Sequence, residues 1–195
     1  MKLHKTAIAF ILLAPFSSPA FAQSVGTEVQ RDINQETLIE QGLQSGQLST
    51  GEAARLERGE ARIDRMESKG LKDGTVSPQE AARIQRAQNR ESAQINRLEN
   101  NAVTGNPNSP SSQRMQADVQ RNINQQRRIE QGVQSGALTN KEAAKLERGQ
   151  ARVDRAEARA GADGRISPRE QARIQSKENA QSKQIFREKH NRRTR

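Results

Sequence analysis

Apolar residues recur along this chain at helical spacing, with Arg, Gln and Glu filling the positions between them. Val29, Ile33, Ile39 and Leu43 share one face of a first predicted helix. Ala53, Leu56, Ile63 and Met66 share a face of a second, and Ala81, Ile84, Ile95 and Leu98 of a third. The same three-helix pattern then repeats. Val119, Ile123, Ile129 and Val133 mark its first helix, and Ala143, Leu146, Val153 and Ala156 its second. Ile174 and Ile185 mark its third.

The repeat is ungapped, at an offset of 90 residues, and about 39 of the 67 positions of 29–95 are identical in 119–185. Val29-Gln30-Arg31-Asp32-Ile33-Asn34-Gln35 returns as Val119-Gln120-Arg121-Asn122-Ile123-Asn124-Gln125. Leu56-Glu57-Arg58-Gly59 returns as Leu146-Glu147-Arg148-Gly149. A gene duplication accounts for this. Gly59 and Gly149 fall inside a predicted helix, where glycine costs about 1 kcal/mol relative to alanine. Close helix contact at these points is the favoured explanation, since the neighbours are small.

Four loops join the helices, and all share one pattern of glycine, spacer, aliphatic, Ser or Thr, two spacers and Glu. They are centred on Gly46, Gly74, Gly136 and Gly164. In Asp73-Gly74-x-Val76-Ser77-x-x-Glu80 and Asp163-Gly164-x-Ile166-Ser167-x-x-Glu170 an aspartate precedes the glycine. This resembles the second half of an EF-hand calcium loop. The resemblance implies paired loops, with Leu48 opposite Val76 and Leu138 opposite Ile166. It makes Asp73, Ser77, Glu80, Asp163, Ser167 and Glu170 the candidate Ca²⁺ ligands. Each copy would then be a degenerate paired EF-hand-like lobe. The first ligand slot, however, holds Gln41, Lys69, Gln131 and Arg159, and the next holds Leu43, Leu71, Val133 and Gly161. Six to eight oxygens are not available there. The residues retained also have a purely structural use: Ser49-x-x-Glu52, Ser77-x-x-Glu80, Thr139-x-x-Glu142 and Ser167-x-x-Glu170 are capping boxes, and the glycines supply a positive φ. The structural use is the favoured reading, with weak calcium binding as its alternative and no other cofactor expected.

The fold class is thus all-α, two tandem three-helix units joined by a flexible linker. Residues 1–22 have a basic start, an apolar run from Ala7 to Phe16 and a small-x-small end at Ala20-Phe21-Ala22, as a secretory signal peptide does. Export to the periplasm or the exterior is expected, with cleavage near Ala22. Residues 23–28 form a short N-terminal segment, 29–102 the first repeat, 103–118 a Pro/Asn/Ser linker, 119–186 the second repeat and 187–195 a basic tail. Three of the four phenylalanines lie in the signal region, and Trp, Tyr and Cys are absent. The core must therefore be aliphatic and small.

The net charge is +10, and its excess sits in the second repeat and tail. Lys183, Arg187, Lys189, Arg192, Arg193 and Arg195 are the candidate contacts to a polyanion such as lipopolysaccharide or anionic lipid. Sequence-specific nucleic-acid binding is not expected, since no aromatic platform offers base stacking. Beyond the signal region the one histidine is His190, and no cysteine nucleophile, nucleophile elbow or phosphate loop is present. The abundant Glu and Asp read as intrahelical partners of Arg. An enzyme is not expected. The leading functional expectation is an interaction or structural module of the cell envelope with a protein or envelope partner. Weak divalent-cation binding and polyanion binding are the alternatives.

Overall fold

The structure, a computed structural model, describes residues 20–191, with side chains from Val25 onward. The signal-peptide assignment falls almost wholly outside this range, as do Arg192, Arg193 and Arg195. The described residues form six α-helices: α1 (Ala20–Ser45), α2 (Thr50–Gly70), α3 (Pro78–Glu99), α4 (Pro110–Gln134), α5 (Asn140–Ala160) and α6 (Pro168–Lys189). A single 3-10 turn, Gly161–Asp163, follows α5. None of these helices is long and apolar enough to cross a membrane.

Four of the helices, α2, α3, α5 and α6, start where the caps predict. Ser49, Ser77, Thr139 and Ser167 each accept a hydrogen bond from the backbone N–H of a glutamate three residues on, and that glutamate bonds back to the cap. Pro78, Pro110 and Pro168 occupy first-turn positions that need no N–H donor. The four loop glycines, Gly46, Gly74, Gly136 and Gly164, all have φ between 73° and 91°, where a Cβ would be strained.

α1, α2, α4 and α5 make a central bundle, with α3 laid against α1 and α2, and α6 against α4 and α5. The most extensive contacts are α2 with α5 and α1 with α4, each helix meeting its own counterpart from the other repeat. One continuous aliphatic cluster draws on both repeats, including Ile39, Leu56, Ile84, Ile129, Leu146 and Ile174. The predicted apolar faces are thus the buried ones.

Three expectations need correction. Residues 110–118, read as linker, are the first turns of α4, and Met115 within them is fully buried. The true connection is short and docked, with Gly105 N–H donating to Gly46 O at 2.8 Å. Val25, assigned to a short leading segment, is also core. Finally, Leu48 and Leu138 form no bridge to Val76 or Ile166. Their N–H groups close the preceding helices on Gly42 O (2.9 Å) and Gly132 O (2.8 Å). The loops instead meet across repeats: Asn140 donates to Gly74 O at 2.7 Å, and Gly51 packs against Gly164.

Candidate metal centre

The loop residues predicted as ligands are occupied otherwise. Glu80 Oε2 accepts from Ser77 N (3.0 Å) and Ser77 Oγ (2.6 Å), and Glu170 Oε2 from Ser167 N (2.9 Å) and Ser167 Oγ (2.7 Å). These bonds hold both carboxyls below the usual range. Asp73 and Asp163 are exposed, and Asp163 Oδ1 accepts from Arg165 N at 2.9 Å. None of these six residues belongs to a group of acidic side chains close enough to share an ion. Of the basic residues, Lys183 and Arg187 are exposed on α6 beside Phe186, and Lys189 is half-buried.

The acidic groups that do converge are in the interior. On α2, Glu57, Glu60, Asp64 and Glu67 follow one another at steps of three, four and three, which places them on one helical face. That face looks into the bundle, and none of the four is more than 1% exposed. The matching stripe on α5 is Glu147, Gln150, Asp154 and Glu157, again at most 1% exposed. α1 adds Asp32 and Glu36, and α4 adds Asn122 and Gln126. α3 contributes Gln88 and Glu91, and α6 Glu178 and Gln181. Gly59 and Gly149 serve this seam. A Cβ on Gly59 would lie 2.0 Å from Glu91 Oε2, and one on Gly149 would lie 2.0 Å from Gln181 Oε1. The close contact predicted there is therefore a slot that admits a polar side chain from the flanking helix.

Two groups have carboxylate oxygens all within 4.8 Å of one another: Asp32, Asp64 and Glu67, and Glu36, Glu57 and Asp154. Amides brace them. Gln88 Nε2 donates to Asp32 Oδ1 (2.9 Å) and Glu67 Oε1 (3.1 Å), and Gln150 Nε2 to Asp154 Oδ1 (3.2 Å). Asn122 Nδ2 donates to Glu157 Oε2 at 2.8 Å. Many acceptors remain without a donor among the described residues, including both oxygens of Glu57 and of Glu60 and one oxygen each of Asp64, Glu67 and Glu157.

No Lys, Arg or His is buried among the described residues. Arg121 reaches Glu178 at 3.2 Å at one edge, and no other ion pair among the described residues touches the seam. An unpaired carboxylate in such a setting is costly, and several together cannot all stay charged unaided. Burial pushes Asp32 and Asp154 up to about 7, and Glu36, Glu57, Glu60, Asp64, Glu67, Glu147 and Glu157 well above the usual range. Repulsion among the group adds to the burial effect. Several carboxyls lie within hydrogen-bonding reach of one another: Asp64 and Asp154, Glu67 and Asp32, and Glu57 and Glu157.

Two things can neutralise such a seam: protons, or cations held by several carboxylates at once. The donor set is carboxylate and carboxamide oxygen, with no imidazole or thiolate. That chemistry suits hard cations such as Ca²⁺, Mn²⁺, Mg²⁺ or a trivalent ion, and not softer Zn²⁺ or Cu⁺. The i,i+3 and i,i+4 acidic stripe was the available signal in the sequence. Its interspersed Arg residues made it read as a solvated face with intrahelical pairs. No protein-family model, no curated protein and no solved structure matches this chain.

Proposed function

We propose that this protein binds hard multivalent cations inside its helical bundle, in the carboxylate seam between α1, α2, α4 and α5. The observation that carries this reading is the convergence of Asp32, Asp64 and Glu67 within 4.8 Å in a region with no buried basic residue. A solvated acidic patch would need no explanation, but this seam is taken out of water by the fold itself. Each ion would gain several ligands and would relieve the repulsion that burial creates. Cation binding and folding are therefore linked, and the chain acts as a cation-binding or cation-sequestering protein without catalysis. The N-terminal pattern supports placing this role in the cell envelope or outside the cell.

Calorimetry and thermal melting at pH 7.5 test this with Mn²⁺, Ca²⁺ and La³⁺ added to metal-free protein. The expected result is retained metal and a rise in Tm, both lost in a Glu57→Gln/Asp64→Asn variant. No retained metal and an unchanged Tm with all three ions would overturn the reading.

A second reading, polyanion binding, is supported by the surface of α6. Phe186 is 57% exposed and sits between Lys183 and Arg187, with Arg128 beside them. Lys183→Glu/Arg187→Glu should shorten retention on heparin at low salt, and unchanged elution would dismiss it.

A further inference from the structure

Resting on the cation-binding reading, we infer that the seam holds two quasi-equivalent cation sites, one at each end, each built jointly by both repeats from four carboxylates and one carboxamide. The first site gathers Asp32, Asp64 and Glu67 with Glu147 and Gln126 from the other repeat. The second gathers Asp154, Glu157 and Asn122 with Glu57 and Glu36.

The 90-residue offset turns one list into the other. Asp32 corresponds to Asn122, Asp64 to Asp154, Glu67 to Glu157, Glu147 to Glu57, and Gln126 to Glu36. The geometry supports the grouping independently. Asp32, Asp64 and Glu67 converge within 4.8 Å, and so do Glu36, Glu57 and Asp154. In the first site Gln126 Nε2 faces Glu147 Oε2 at 3.5 Å, and in the second Asn122 Nδ2 donates to Glu157 Oε2 at 2.8 Å. The helix order agrees too. α2 and α5 run antiparallel across their contact, so Glu67 lies toward Glu147 at one end while Glu57 lies toward Glu157 at the other.

The divergence of the repeats makes this more than a consequence of duplication. Two of the exchanges from acid to amide, Asp32 to Asn122 and Glu36 to Gln126, fall at different positions of the two sites. Each site loses one carboxylate and keeps four. The unpartnered oxygens are spread over both ends: Glu67 Oε2, Asp32 Oδ2 and Glu147 Oε1 at the first, and both Glu57 oxygens, Glu36 Oε2 and Glu157 Oε1 at the second.

Metal content of the folded chain after desalting, together with calorimetry using Mn²⁺ and La³⁺ at pH 7.5, tests the inference. Asp32→Asn/Glu67→Gln disables the first site and Glu36→Gln/Glu157→Gln the second. The changes are near-isosteric, and the fold already accepts Asn122 and Gln126 at the positions equivalent to Asp32 and Glu36. Circular dichroism at pH 5 checks that each variant is helical.

The expected result is two ions per wild-type chain, one in each double variant and none in the quadruple variant. Restoring a fifth carboxylate by Gln126→Glu should tighten the first site about tenfold, and Asn122→Asp the second. One ion per wild-type chain, three or more, or loss of all binding in a single double variant would overturn the two-site inference and leave cation binding standing. No ion in the wild type would overturn both.

Discussion

Asp64 on α2 and Asp154 on α5, ninety residues apart in sequence and equivalent in the repeat, meet within hydrogen-bonding reach across the contact of the two helices. Both are at most 1% exposed. They lie between the two ends of the carboxylate seam, where a proton or a cation must offset their mutual repulsion.

Asp64→Asn should therefore raise the stability of the metal-free protein at pH 7.5, by about 1–3 kcal/mol, because Asn offers Asp154 a permanent donor and the pair no longer has to take up a proton on folding. The same change should shrink the stabilisation gained from Mn²⁺. Calorimetric scans with and without the ion measure both effects, which have opposite signs.

Metal-free protein should be more stable in mild acid than at neutral pH. Asp32 and Asp154 rise from 3.8 to about 7, and Glu91 from 4.5 to about 7, chiefly through burial. A carboxyl whose folded-state pKa is raised is favoured by folding in its protonated form. Its contribution is complete below the unfolded value near 4 and is lost as pH rises through about 7. The Tm should fall by on the order of 10 °C between pH 5 and pH 8. Saturating Mn²⁺ at pH 8 should restore most of it, and an upward trend of Tm with pH in metal-free protein would contradict the arrangement.

Gly149→Ala should destabilise by about 1 kcal/mol even though alanine is the better helix former. The new Cβ would collide with Gln181 Oε1, and Gln181 Nε2 would lose its bond to Leu146 O at 2.9 Å. Gly59→Ala should cost less. There the displaced group is the end of Glu91, which lies nearer the surface and whose Oε1 has no donor among the described residues. Urea unfolding of the two variants side by side gives the ranking.

The loop residues should behave as folding elements. Ser77→Ala and Ser167→Ala should each cost about 1 kcal/mol through loss of the cap. Asp73→Asn/Asp163→Asn should leave cation stoichiometry unchanged. Loss of an ion in the aspartate variant would return the centre to the loops.

Much of the molecule was legible in the sequence because its determinants are local. Helix starts follow from Ser49, Ser77, Thr139 and Ser167, each with its glutamate three residues on. The sharp turns follow from glycines that alone tolerate positive φ, and the buried aliphatic faces follow from spacing.

The seam was decided elsewhere. A stripe such as Glu57, Glu60, Asp64 and Glu67 has the same period whether it meets water or another helix, and periodicity carries no sign of which. α2 turns it inward because the stripe adjoins the buried Leu56 and Ile63 while the exposed Arg58, Arg62 and Arg65 take the opposite face, and because α5 covers it with a matching stripe. That partner lies ninety residues away, beyond the reach of any local rule. The sequence supplied the carboxylates, and the packing of one repeat on the other removed them from water and brought them together.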